Sequence, residues 1–342
     1  SRTFVTAACV LGTLVATTRM SNAEELYPVV VDGKSGFIDH TGEVKIEATF
    51  KSARAFSEGL AAAQGEDGLW GFLDSEGRWS IKPEYEVAAD FSDGLAMVSK
   101  KKGLLAIGGM VCGFIDVKGK LAIPYTYGNA GNFKSGLARV EKDGKWGFID
   151  KTGKMVIEPQ FAEAADFSDG LACVKAGGEW KGKYGYIDTK GKMKINPTFE
   201  ACESFNEGMA SFKRDGKCGY IDETGKVVIE PQFAGAWIFS HGRACVKVGA
   251  KIGYIDKTGK MSVNPTFENA LAFNEALAAV QKDGKWGYIG TDGTTIIPMT
   301  YESASDFHHG LAQVKSNGDL VWIRKDGHVV WSPTSTSAST KG

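Results

Sequence analysis

Apolar and polar residues along this chain fall into short runs that restart on a fixed schedule. Leu137-Ala138-Arg139-Val140 reads as a strand, Lys142-Asp143-Gly144-Lys145 as a polar turn, and Gly147-Phe148-Ile149-Asp150 as a second strand. Asp-Gly between two apolar or aromatic runs is a strong hairpin signal. Gly153 closes a second turn, in which Asp150 can bond backbone N–H groups while the glycine takes positive φ. A third strand centres on Ile157, and Pro159 two places on is expected to end its ladder pairing. Phe161, Ala164 and Phe167 follow at i, i+3 and i+6, a spacing that suits a short helical or 3₁₀ turn. Gly170 stops that turn, and Leu171 starts the next cycle.

The Gly-Phe/Tyr-Ile/Leu-Asp quartet opens at Gly36, Gly71, Gly113, Gly147, Gly185, Gly219 and Gly253. Gly287-Tyr288-Ile289-Gly290 lacks only the Asp, and Val321-Trp322-Ile323-Arg324 is a worn last copy. The commonest spacing, 34 residues, is that of a repeat array. Aromatics recur fourteen residues after the glycine and Phe twenty residues after it, as stacked core positions should. Nine units therefore run from Leu26 to Pro333. One unit has too little area to fold alone, so burial must come from its neighbours. The predicted fold is all-β: about nine ~34-residue three-stranded β-meander units in an open curved or superhelical array. Thirty-four residues hold three comfortable strands rather than the four of a usual propeller blade. A closed β-propeller is the alternative, and it requires the first and last units to meet.

Length varies at one place, the first hairpin. The usual ten-residue interval from first-strand Leu to quartet Gly becomes eighteen from Leu95 to Gly113 and fourteen from Leu171 to Gly185. Cations and an aromatic gather there: Lys100, Lys101, Lys102, Trp180, Lys181 and Lys183. Insertions in repeat proteins map to loops on one face, often the binding face. The residue before the quartet glycine also varies, and Trp70, Trp146, Tyr184 and Trp286 either cover the join between units or form a ligand surface. These ten residues are the candidate ligand contacts. No catalytic, cofactor or metal residue is proposed. The row of turn Asp lacks the dense oxygen spacing of a calcium loop. His40, His241, His308, His309 and His328 sit in turns or links without a nucleophile or metal-ligand grouping.

The composition, 43% apolar and 24% charged with a formal charge of −1, fits a folded soluble protein and gives nucleic acid no basic surface to bind. Residues 1–23 differ from the rest: Arg2, an apolar run from Val5 to Ala16, then Ser21-Asn22-Ala23. They are expected to form a signal peptide, too short for a permanent span, with a mature chain from Glu24 that is exported to the periplasm, cell surface or medium. Residues 24–333 are the repeat array, and the Ser/Thr-rich residues 334–342 are expected to be disordered. Five mature cysteines, Cys112, Cys173, Cys202, Cys218 and Cys245, read as small buried hydrophobes: Cys202 takes a place held by Ala in other units, and Cys173 and Cys245 share one strand position two units apart.

The Lys145-Trp146-Gly147-Phe148-Ile149-Asp150 stretch, the Asp150-x-x-Gly153 turn, Ile157-x-Pro159 and Phe167-Ser168-x-Gly170-Leu171-Ala172 together resemble the bacterial WG (KWG) repeat family, over Leu26 to Pro333. Trp stands at the family's Trp position only at Trp70, Trp146 and Trp286. The resemblance implies a β-rich repeat protein, often exported, and supplies no catalytic residues. The functional expectation is a non-catalytic binding or scaffold module for an extended partner, protein or polysaccharide. A secreted hydrolase of glycans or peptides and a purely architectural spacer are the alternatives.

Overall fold

The structure, a computed structural model, describes residues 25–101, 109–177 and 182–333. The all-β expectation and the nine units hold, but the array is closed and the units are four-stranded. Nine antiparallel sheets follow one another, eight of four strands and a first of three. In the fourth, strand a is Asn129–Ala130, b is Leu137–Lys142, c is Lys145–Asp150 and d is Met155–Phe161. They pair in that order, and the same order recurs in every four-stranded sheet.

The fourth strand is the segment whose spacing suggested a helical turn. In the fifth sheet it is Glu163–Ala164, paired with Lys175 and Val174 of strand b, Leu171–Lys175. Phe161, Ala164 and Phe167 nevertheless meet in one cluster, because the chain turns from one sheet to the next between them and all three side chains reach the same joint. An i, i+3, i+6 pattern is thus satisfied without a helix. The expectation for Pro159 fails as well, since strand d runs past it to Phe161. Pairing jumps from Phe148↔Ile157 to Trp146↔Phe161, so the extra residues bulge across Gly147. A Cβ there would lie 2.4 Å from Ile157 O, which is why this position of the repeat holds glycine.

Strand c does not alternate apolar with polar, because both faces of the sheet are buried. Phe148 packs with Phe167, Ala172, Val174 and Ile187 of the next sheet, and Ile149 packs into the cluster of the preceding one. At eight successive joints the strand-c ring meets the Phe of the next sheet at centroid distances of 4.7–5.0 Å, from Phe37–Phe56 to Tyr288–Phe307. Sheets apolar on both faces explain why the array is not open: an open end would leave a sheet face in water. Here the two end faces cover each other. Tyr27, Val29 and Ile38 of the first sheet pack with Leu311, Trp322 and Trp331 of the last, giving a closed propeller of nine blades.

The seam differs from the internal joints. Tyr27 stands where the other units carry Ala (Ala172 in the fifth), Trp322 replaces the strand-c Phe or Tyr, and Trp331 replaces the strand-d Ile. Larger rings fill the space that strand a and its Phe fill elsewhere, since the first sheet begins at what is strand b in other blades. The Tyr27 and Trp322 rings lie 5.3 Å apart, Trp322 Nε1 donates to Pro28 O (3.1 Å) and Tyr27 Oη to His309 O (2.7 Å). No strand is shared between the first and last sheets, so side chains make the closure.

The c–d turns are built on Asp. Asp150 Oδ1 accepts from Thr152 N–H, Thr152 Oγ1 and Lys154 N–H at 2.6–3.0 Å, and Asp222 and Asp256 repeat the arrangement. The threonine hydroxyl is the largest influence on these carboxyls; desolvation opposes it, and the two N–H groups add to it, so that the carboxyls lie below their ordinary range.

Two predictions follow from this packing. Phe167 is 1% exposed, and Phe167→Ala should cost about 3–5 kcal/mol, more than removal of the half-buried Trp146 ring, as measured by denaturant unfolding. Carboxyls depressed in the folded state contribute stability above their unfolded pKa, near 4, and lose it as pH falls through the folded value. The urea midpoint should therefore drop between about pH 5 and pH 3, and the drop should shrink in Thr152→Val/Thr224→Val/Thr258→Val.

Candidate binding site at the propeller axis

Strand a is one edge of each four-stranded blade. A cavity of about 670 Å³ at this edge is lined by Lys134 of blade 4, Asp166 and Ser168 of blade 5, Ser204 and Asn206 of blade 6 and Ile238 of blade 7. Only the region around the axis can gather four consecutive blades in this way.

Three kinds of hydrogen bond cross the joints near this edge. Where strand c carries Tyr, its hydroxyl donates to a carbonyl in the next blade, just after strand a or, in blade 7, within it: Tyr186 to Glu203 O, Tyr220 to Trp237 O, Tyr254 to Leu271 O and Tyr288 to Ser305 O, at 2.7–2.8 Å. Burial pushes these phenols well above their ordinary pKa, so they stay neutral donors. In the a–b turn, Ser57, Ser92, Asn206 and Ser240 donate to the carbonyls of Phe91, Phe133, Phe239 and Phe273 in the following blade, at 2.7–2.8 Å. One residue further, Glu58, Asp93, Asp169, Glu207 and Glu275 accept from the turn glycine N–H of the next blade, at 2.8–3.1 Å.

Blade 4 departs from all three. Its strand-c ring is Phe148, and its turn reads Phe133-Lys134-Ser135-Gly136. Among the described residues Phe167 O accepts no such bond, Gly170 N–H donates none, and Ser168 makes none to Phe205 O at the following joint; Asn274, set against His308, likewise makes none to Phe307 O. The cavity lies at the two joints on either side of blade 5. Other contacts hold them. Arg139 Nε donates to Asp166 Oδ1 and its Nη1 to Ala164 O, both at 2.8 Å, with the guanidinium 4.9 Å from the centroid of the Trp146 ring. A disulfide joins Cys173 of blade 5 to Cys202 of blade 6, Cα atoms 6.4 Å apart. The reading of these two cysteines as buried hydrophobes is thereby corrected: the four-residue hairpin insertion hides a register in which they face each other. Cys112 and Cys245 are free and buried, and Cys218 is free and half-buried.

The sequence candidates separate on this geometry. Lys102, Trp180 and Lys181 lie outside the described residues. Lys100 and Lys101 belong to strand b of blade 3, Leu95–Lys101, rather than to its loop. Lys100 Nζ is 3.4 Å from Glu84 and lies over the Tyr85 and Tyr125 rings, and Lys101 Nζ is 3.0 Å from Glu86. Lys183 closes the blade 5 hairpin through its carbonyl, which accepts from Ala176 N–H at 3.0 Å. Trp70, Trp146 and Tyr184 each carry a cation over the ring, Arg54, Arg139 and Lys175 respectively, at 4.8–5.3 Å. Trp286 packs into the joint of blades 8 and 9. Of the ten, Tyr184 lines the cavity. Its hydroxyl donates to Glu163 Oε2 (2.7 Å), while Lys175 Nζ stands 2.7 Å from Glu163 Oε1. The Lys175 bond first, then that of Tyr184, holds the Glu163 carboxyl below its ordinary range. Lys134, Arg139, Asp166, Ser168, Ser204 and Asn206 were not legible as a site. Their signal was departure from the repeat at the turn, Lys134-Ser135 standing where five other units carry Ser or Asn followed by an acid; Ser240-His241 and His308-His309 depart as well.

The repeat itself decides the family. The WG containing repeat matches residues 36–70, 70–103, 113–146, 146–180, 184–218, 219–251, 252–286 and 286–318. The chain belongs to the WG repeat family. No curated protein matches this WG repeat chain. Among solved structures, the crystal structure of the eukaryotic initiation factor is similar at a TM-score of 0.66 and 10% identity, over 90% of this chain and 95% of that one. Dihydro-heme d1 dehydrogenase NirN reaches 0.43 at 12% identity, over 91% and 73% of the two chains. The WD40 β-propeller domain of Doa1 reaches 0.33 at 11%, over 90% and 95%. The first shows the fold alone; the other two are too distant to carry an argument about this WG repeat protein.

Restoring the absent bonds should tighten blade 4 against blade 5. Ser135 has φ +54°, a conformation that Asp accepts more readily than Ser and that Asp93 and Asp169 already adopt. Lys134→Ser/Ser135→Asp should gain about 1–2 kcal/mol in denaturant unfolding, two cross-joint hydrogen bonds replacing none.

Proposed function

We propose that this WG repeat protein is an exported, non-catalytic binding module that holds an extended partner, a protein or a polysaccharide, at its inner edge. The observation that carries the reading is the axial cavity beside the joint of blades 4 and 5, where none of the three cross-blade bonds forms. The turn serine bond is also missing at the joint of blades 5 and 6, where the Tyr186 and Asp169 bonds remain, and the polar groups so released are there for something else to meet. The cavity lies within the size range of ligand sites and brings a few polar groups together beside apolar walls. The blade 5 hairpin starts beside it, Tyr184 being both the first residue of strand c and part of the lining, so a bound chain can run from the cavity along that hairpin. Export is supported by the signal-like residues 1–23 and by the Cys173–Cys202 bridge, a bond kept in oxidising compartments.

A glycan and peptide array probed with residues 24–342 should give ligands that bind the native chain and are lost on Lys134→Ser/Ser135→Asp/Ser168→Asn. Ligands indifferent to those changes would place binding elsewhere on the ring. N-terminal sequencing from the native host should begin at Glu24, and a chain that keeps Leu11 would count against export.

A further inference from the structure

We propose that the axial cavity takes a neutral, polyhydroxylated ligand: one saccharide unit of a longer chain. The proposal rests on the cavity being the binding site and adds the chemistry of what enters it.

The polar groups that face the cavity are of both kinds. Phe167 and Phe205 are 1% and 0% exposed, so their carbonyls lie behind the wall. Ala165 is less buried, and its carbonyl occupies the position where the Tyr hydroxyls reach Glu203 O, Trp237 O, Leu271 O and Ser305 O. Among the described residues Ala165 O receives no side-chain hydrogen bond, and a ligand donor can meet it. Ser168 and Ser204, in the same wall, each donate and accept, and the Lys134 ammonium calls for acceptors. A ring hydroxyl is both at once.

Charge narrows the choice. The fixed charges of the lining are mutually compensated: Arg139 with Asp166 at 2.8 Å, and Glu163 with Lys175 at 2.7 Å and the Tyr184 hydroxyl. A carboxylate or phosphate would have Lys134 alone to pair with, beside the negative end of the Ala165 carbonyl dipole. A basic ligand would have to displace Arg139 or Lys175. An extended peptide is disfavoured by the shape of the edge. Strand a is two residues long in blades 4, 5 and 6, too short for an added β-strand to pair with. A neutral sugar asks for neither charge nor edge.

The test compares residues 24–342 with Lys134→Ser/Ser135→Asp/Ser168→Asn, in which the new side chains occupy Phe167 O, Gly170 N–H and Phe205 O as their counterparts do at other joints. Maltohexaose, cellohexaose and the hexamer of N-acetylglucosamine are titrated by calorimetry beside one acidic and one basic hexapeptide, with near-ultraviolet circular dichroism confirming the fold of both proteins. At least one oligosaccharide should bind the native chain and weaken about tenfold or more in the variant, the effect of two lost ligand hydrogen bonds. If no oligosaccharide binds, the ligand class is wrong. If a peptide binds and is lost in the variant, the cavity reading stands and the saccharide proposal falls. If an oligosaccharide binds both proteins equally, the class survives but the cavity is not its site, and the proposal is overturned.

Discussion

Everything in this molecule depends on the ring-to-ring contact between Phe or Tyr of strand c and the Phe that enters the next sheet. Repeated at eight joints within 4.7–5.0 Å, it sets blade separation and orientation, and leaves the rest of each unit to fit around it. Because Ile149 faces one neighbour and Phe148 the other, no sheet can be terminal without exposing a core face. Closure is a consequence of two-sided burial, and the bulge across Gly147 lets strand d stay paired while its Phe161 reaches the joint.

The hydrogen bonds across the inner edge are subordinate to that packing, and so they are free to vary. Blades 5 to 8 use Tyr where blades 1 to 4 use Phe, and the stack is unchanged while the hydroxyl adds a bond to the next blade. Blade 4 drops the turn bonds and substitutes the Arg139 fork on Asp166 and Ala164 O. Functional variation is found where the packing tolerates it: in the turn residues beside a fixed Phe, not in the Phe itself.

The number of units and their core stripes were legible in the sequence because packing recurs in register. Ring closure was misread from the period, and its marks lie at the two ends of the chain. Neither the first nor the last unit carries the polar outer face that an open array needs, and Tyr27, Trp322 and Trp331 enlarge the apolar one. The fourth strand was obscured because two residues are too few for any alternation to show, so the three-residue spacing of Phe161, Ala164 and Phe167 read as helix. The site was hidden for a different reason. Aromatics before the quartet glycine look like a ligand platform in a list of residues, yet Arg54, Arg139 and Lys175 already cover three of those rings. What marks the cavity is an interaction that other units make and blade 4 does not, and no single unit displays that.

The seam between the ninth and first blades separates two descriptions of the molecule. Internal joints are alike enough that a unit gained or lost among them by duplication would meet familiar surfaces on both sides. The seam is not interchangeable, since Tyr27 is matched to Trp322, Trp331 and the His309 carbonyl, a set found at no internal joint. The ring therefore has a fixed beginning and end but a middle of adjustable length. Being closed by side chains alone, it can form as a ribbon growing blade by blade and become a ring in its last step.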